Sequence, residues 1–230
     1  MRFGLILLLI LLTACAEVRD TVNNCPDGKI SWVDMLKVND VEYVRLSEEQ
    51  ESFNEAEQGE EVGEITYQMA DRACSDHQLR NGDAAYVQEG EKVYAVEGYE
   101  TTFRVMAEGD IFQVSDKEEG GTLADFYDIE GRVDAVSLIS REDASFISSF
   151  EEEDKNAFLE EFFEQEYVGF PTIYEEVELE DPILLRFELE DGTSFRVSYW
   201  LEANAVTPGA FGTEEMKEIA ERYAAGSEEE

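Results

Sequence analysis

Apolar residues fall along this chain in two regimes. In the first, short apolar runs alternate with turn residues. Residues 32–38 and 41–46 flank Asn39-Asp40, a two-residue hairpin signal. Ile65-Thr66-Tyr67-Gln68-Met69 alternates as a half-buried strand does. The turn Asn81-Gly82-Asp83 leads into residues 84–87, and residues 92–96, 102–106 and 111–114 read as further strands, the last behind the turn Glu108-Gly109-Asp110. Many short strands with turns between them predict a β-rich module over residues 29–117, a small barrel or sandwich.

The period changes after Lys-Glu-Glu-Gly-Gly-Thr at 117–122. Residues 133–139 predict a strand. Ser140 with Asp143 three positions on reads as a helix N-cap, followed by Phe146, Ile147 and Phe150 at helical spacing. Phe158, Leu159, Phe162 and Phe163 predict a second helix. Residues 183–189 and 194–199 flank Asp191-Gly192, a strong hairpin signal. A last helix is expected after Thr213, with Glu214 and Glu215 in its first turn and Met216, Ile219, Ala220 and Tyr223 as its apolar stripe. This order predicts an α+β module over residues 123–226, helices packed on an antiparallel sheet. Phe103-Arg104-Val105 and Phe195-Arg196-Val197 match, and read as two strands with similar needs.

The amino terminus is patterned differently again. Residues 3–12 carry no charge, follow a single Arg2 and end in Leu12-Thr13-Ala14-Cys15. Ten residues are half of what a membrane-spanning helix needs, and the layout is that of a secretory signal. The ending resembles the lipobox of bacterial lipoproteins. That resemblance implies a diacylglyceryl group on Cys15 and cleavage before it. Residues 1–14 would then be the signal peptide and 15–28 a tether, with the protein on the extracytoplasmic face of the cell membrane. An ordinary signal peptide with a chance cysteine is the alternative. Residues 31–114 are also similar to uncharacterised lipoproteins of Gram-positive bacteria. The likeness rests on Trp32-Val33-Asp34, Val41-Glu42-Tyr43, Gly82-Asp83-Ala84-Ala85-Tyr86, Lys92-Val93-Tyr94 and Gly98-Tyr99. It implies a secreted β-rich module and no chemistry.

Charge narrows the partners. The chain has 56 acidic and 17 basic residues, a formal net charge of −39. Nucleic acid and anionic lipid surfaces are disfavoured as ligands, because phosphate contacts need a basic patch. The acids are spread along the whole chain, as expected of a surface adapted to saline surroundings, where screening removes their mutual repulsion. With 14 Phe, 10 Tyr and 2 Trp the chain still has ample material for a packed core. Cys25 and Cys74 are expected to form a disulfide, closing a loop of about fifty residues worth roughly 4 kcal/mol; two separate thiols are the alternative.

Candidate chemistry is thin. The single histidine, His77, would have to serve any Ser-His-Asp triad, and no Gly-x-Ser-x-Gly elbow or Ser-x-x-Lys accompanies it. Cys74-Ser75-Asp76-His77 has half the ligands of a structural zinc site, so His77 is expected to be an exposed loop residue. Glu151-Glu152-Glu153-Asp154 and Glu175-Glu176 read as solvated faces, and no calcium-loop spacing occurs. No catalytic residue, metal site or cofactor is therefore assigned. Aromatics beside Gly and Pro, namely Tyr167, Phe170, Tyr174, Trp200 and Phe211, are candidate contacts for a protein, peptide or glycan partner, if they do not simply cover the core. The expected function is a membrane-anchored, non-catalytic binding or interaction module of the cell envelope. A hydrolase using acidic residues and a surface divalent-cation binder are the alternatives.

Overall fold

The computed structural model describes residues 31–46, 58–70 and 72–225. Cys15, Cys25 and the tether lie outside them. Eight strands form the first sheet: β1 (Met35–Val38), β2 (Val41–Arg45), β3 (Gln58–Glu64), β4 (Tyr67–Gln68), β5 (Asp83–Ala84), β6 (Lys92–Val96), β7 (Arg104–Ala107) and β8 (Asp110–Asp116). Their order is β3-β6-β7-β8-β2-β1-β5-β4, and the sheet curls into a half-barrel. The β1–β2 turn places Asn39 and Asp40 at φ 54° and 65°, the double left-handed geometry of a type I′ hairpin. Asn81 clasps that turn: its Oδ1 accepts from the Asp40 amide at 2.7 Å and its Nδ2 donates to Asp40 Oδ1 at 2.8 Å.

The second sheet runs β10-β9-β11-β12-β13-β14, built from β9 (Val133–Ile139), β10 (Phe146–Ser149), β11 (Ile183–Leu189), β12 (Ser194–Trp200), β13 (Ala205–Val206) and β14 (Ala210–Phe211). All its pairings are antiparallel. Four helices accompany it: α1 (Leu123–Phe126), α2 (Glu152–Glu164), α3 (Phe170–Glu176) and α4 (Glu214–Ala225). The protein is thus α+β, with a β-dominated amino-terminal part. Alternation along β12 turns Phe195, Val197 and Tyr199 inward, where Phe158 and Phe162 of α2 meet this face. Met216, Ile219 and Ala220 of α4 are buried in the same core.

That core is continuous between the two halves. Tyr127 sets its ring edge-on to Phe103, 6.1 Å away, and stacks on Phe195 at 5.1 Å, so one side chain touches both. Arg104 adds a polar tie across the same boundary. It is fully buried, and donates to Gln113 Oε1 from Nε and Nη2 at 3.1 and 2.9 Å, and to Thr193 Oγ1 from Nη1 at 2.8 Å.

Several expectations need correction. The segment from Ser140 is no helix. The Ser140 hydroxyl accepts from the amides of Glu142 (3.1 Å) and Asp143 (3.4 Å), Ala144 takes φ 59°, and β10 then pairs with β9. A serine-to-amide bond serves an N-cap and a turn equally well, and pairing along β9 decides between them. Phe146 and Ile147 are accordingly exposed, not a core stripe. Conversely, the segment from Phe170, noted in the sequence only for aromatics beside Gly and Pro, is helical, with Pro171 in the first turn, where its missing N–H costs nothing. The edge strand β3 was invisible because Gln-Gly-Glu-Glu-Val-Gly-Glu has no apolar alternation. Of residues 65–69, only Tyr67–Gln68 forms a strand.

Candidate functional site

Where the sheets meet, they leave an open cleft of about 480 Å3. One wall is β8, through Gln113, Val114 and Ser115, with Tyr127 beside it; the other is β12, through Arg196 and Ser198. Thr207, Pro208 and Phe170 close the rim. The rim is held in place by backbone. Thr207 N donates to the Ser198 carbonyl at 3.0 Å, and Thr207 Oγ1 accepts from Ser198 N at 2.9 Å. Gly209, buried at φ 147°, lies against Gly169 and Phe170 so closely that a Cβ would sit 2.2 Å from the Gly169 carbonyl carbon. The Val168 amide donates to the Gly209 carbonyl at 2.9 Å. Close approach thus fixes where α3 begins and where the Phe170 ring lies, 5.8 Å from that of Trp200.

The aromatic candidates separate into two groups. Phe170 and Trp200 come together at the cleft, and Tyr174, one helical turn beyond Phe170, is 71% exposed. Tyr167 is buried instead: its ring packs 4.6 Å from Phe126 and its hydroxyl donates to Asp116 Oδ1 at 2.8 Å. Burial, with the Asp116 carboxylate, raises the Tyr167 pKa. Tyr167 therefore presents no contact surface. Phe211 is half-buried in β14, opposite Ala205.

The cleft's polar residues were missed by the sequence reading. Arg196 belongs to one of the two matching triplets, but the two have different needs. Phe103-Arg104-Val105 is buried throughout, whereas Arg196 stands exposed between buried Phe195 and Val197. No signal in three residues separates a guanidinium held in the core from one facing a cleft.

His77 is likewise not an exposed loop residue. Its side chain is 20% exposed, and Nε2 lies 2.7 Å from Asp83 Oδ2. The same carboxylate oxygen accepts from the Arg80 amide at 2.9 Å. Cys74 is disulfide-bonded, and both other cysteines fall outside the described residues.

Carboxylates are elsewhere. Asp34 and Asp110 share Arg45, at 3.6 and 2.7 Å, and burial raises the Asp34 pKa despite that guanidinium. Glu153, Glu214, Glu215 and Glu218 line a groove where α2 and α4 begin, beside Asp154, which accepts from Arg222 and from the Tyr223 hydroxyl. Among the described residues no group of three or more His, Cys, Asp or Glu is arranged to hold a metal ion.

No protein-family model, curated protein or solved structure matches this chain. The site stands on its own geometry.

Proposed function

We propose that this protein is a lipid-anchored, extracytoplasmic binding module, and that the cleft between β8 and β12 holds its ligand. The observation that carries the reading is the composition of the cleft. In a chain with 56 acidic residues, none of the nine residues lining it is acidic. They supply a guanidinium, an amide, hydroxyls and apolar walls, which is recognition chemistry. Its volume is within the range of small-molecule and peptide side-chain pockets. The Phe170–Trp200 pair and Tyr174 add the kind of aromatic edge that dominates contacts with peptides and glycans. The anchor reading rests on Leu12-Thr13-Ala14-Cys15, since two acyl chains give stable attachment.

Two experiments test it. Cys15→Ser should abolish incorporation of labelled fatty acid and release the chain from membranes; continued acylation would overturn the anchor. For the cleft, Trp32→Phe leaves Trp200 as the sole tryptophan. Titration with a peptide library and a glycan library should then give saturable quenching for one class, lost in Phe170→Ala. Turnover of the bound compound, or binding indifferent to Phe170, would refute the reading.

A further inference from the structure

A strand at the edge of a sheet presents a row of unpaired backbone donors and acceptors, open to a further strand unless something blunts it. Among the described residues four strands stand at edges: β3 and β4 in the first sheet, β10 and β14 in the second. Three of them are blunted. β3 carries Glu60, Glu61 and Glu64, and β4 and β14 are two residues long. β10 has neither protection. From Ala144 to Phe150 the chain holds no charged residue, no glycine and no proline, in a protein of which 32% is charged.

The one irregularity of β10 adds to its exposure. Its register with β9 passes from Phe146 to Ser148, so Ile147 has no partner there. A regular strand sends one of two neighbouring side chains to the opposite face. The bulge leaves both in solvent, Phe146 63% and Ile147 39% exposed. The core is reached instead by Phe150, the residue after β10, whose ring stacks on Tyr223 at 4.4 Å.

Charge decides what fits this edge. Glu142 and Asp143 stand exposed before β10, and Glu151, Glu152 and Glu153 after it. The groove of Glu153, Glu214, Glu215 and Glu218 extends the negative surface further. The cations nearby are already engaged: Arg141 with Asp181 at 3.0 Å, Lys155 with Glu152 at 2.9 Å, and Arg186 with the Ala144 carbonyl at 3.0 Å. A second copy of the chain is therefore a poor occupant. Whether its β10 ran antiparallel or parallel, acids would face acids at both ends, and like charges side by side are destabilising.

We infer that β10 is a docking edge for an extended peptide segment, apolar and β-branched at its centre and carrying lysine or arginine at both ends, which joins the second sheet as a further strand. Backbone hydrogen bonds supply the affinity, Phe146 and Ile147 take the partner's apolar side chains, and the flanking acids select its basic ends. β9 and β11 separate this edge from the β12 wall of the cleft, and what the cleft binds does not bear on it.

The probe is a fluorescein-labelled synthetic peptide of alternating valine and threonine with two lysines at each end, titrated with the full chain and read by anisotropy. One saturable site is expected, with half-saturation below about 1 mM. Methylating every backbone nitrogen of the central residues keeps the peptide's charge and side chains but removes its donors, and should weaken binding about tenfold or more. Ile147→Lys, a charge of the kind that guards natural edges, should weaken it similarly. Its side chain is exposed, so the variant should melt with the parent; the methylated peptide tests the parent protein itself. Phe170→Ala should bind as the parent does. Equal binding of the methylated peptide, or by Ile147→Lys, would reduce the contact to diffuse attraction between a basic peptide and an acidic chain and overturn the inference. So would an absence of saturation, or loss in Phe170→Ala, which would move the peptide into the cleft. Dimerisation of the chain alone in sedimentation velocity, abolished by Ile147→Lys, would make a second copy the occupant and overturn it too. A failure here leaves the Phe170-dependent quenching of Trp200 untouched, so the two proposals fail separately.

Discussion

Arg104 and Asp191 lie 87 residues apart in sequence and 3.2 Å apart in space, Nη1 to Oδ2. The first is on a central strand of the half-barrel, the second in the hairpin turn between β11 and β12. Arg104 is wholly buried; Asp191 keeps 36% of its side chain exposed. The guanidinium also lies 4.7 Å from the Tyr99 ring centre, and the Tyr99 hydroxyl donates to Asp191 Oδ2 at 2.6 Å. A charge is taken out of water only because Gln113, Thr193 and Asp191 meet its donors.

Removing one partner should therefore cost more than losing a surface ion pair. Asp191→Asn is expected to destabilise by about 1–3 kcal/mol, and Arg104→Met, which strands three polar partners, by about 3–5 kcal/mol. Urea unfolding measures both. A change below half a kcal/mol for Arg104→Met would show that the polar tie contributes nothing net.

The same pair sets a pH dependence. Burial acts to raise the Asp191 pKa, but bonds from Thr193 and Tyr99 and the Arg104 charge outweigh it and hold the carboxyl below its ordinary 3.8. A depressed carboxyl contributes stability above its unfolded value and loses it as pH falls through the folded one. Stability should hold down to about pH 4 and then drop, less steeply in Asp191→Asn. Parallel acid titrations of parent and variant by circular dichroism would expose an equal slope, which would remove Asp191 from the account. Tyr99 is pushed up to about 12, by burial first and by Asp191 second, so it adds nothing near neutrality.

Gly209→Ala should disturb the cleft from a distance. At φ 147°, with the Gly169 carbonyl carbon 2.2 Å from the new Cβ, either α3 or the loop at Pro208 must move. A loss of about 2–4 kcal/mol is expected, with a shift in Trp200 emission as Phe170 leaves it. Gly90→Ala, with open space around it at φ 96°, is the control for φ strain alone. Matching effects of the two substitutions would rule out the close approach as the cause.

Net charge of −39 predicts stabilisation by simple salt. The Debye length shortens from about 10 Å at 0.1 M to about 3 Å at 1 M, so the melting temperature should climb by several degrees with sodium or choline chloride alike. A rise produced by micromolar divalent ions at fixed ionic strength would instead revive the cation-binding alternative.

Local chemistry was legible without the fold. The Asn39-Asp40 turn, the Asp191-Gly192 hairpin and the stripe Met216, Ile219, Ala220 of α4 each depend on a few neighbouring residues, and each is where periodicity and turn preference put it. Segments that failed were those with two local solutions. Ser140 could cap a helix or close a turn, and a partner strand chose; Pro171 could break a loop or start a helix, and the seat of Gly209 against Gly169 chose.

The sites belong wholly to the second kind. Phe170 and Trp200 were identifiable as aromatic candidates, but their meeting, and the burial of Tyr167 shortly before Phe170, required the sheets to be assembled. Arg104 and Arg196 occupy identical triplets, yet one is locked in the core and the other faces a cleft. A strand's two-residue period sets which neighbours point opposite ways; only the layer packed against that face sets whether it is dry. So by itself the sequence determined the α+β class, most hairpins and the acidic surface. Which charges were buried, which aromatics met and which cations stood on a pocket were decided by contacts between residues dozens of positions apart, which no local pattern encodes.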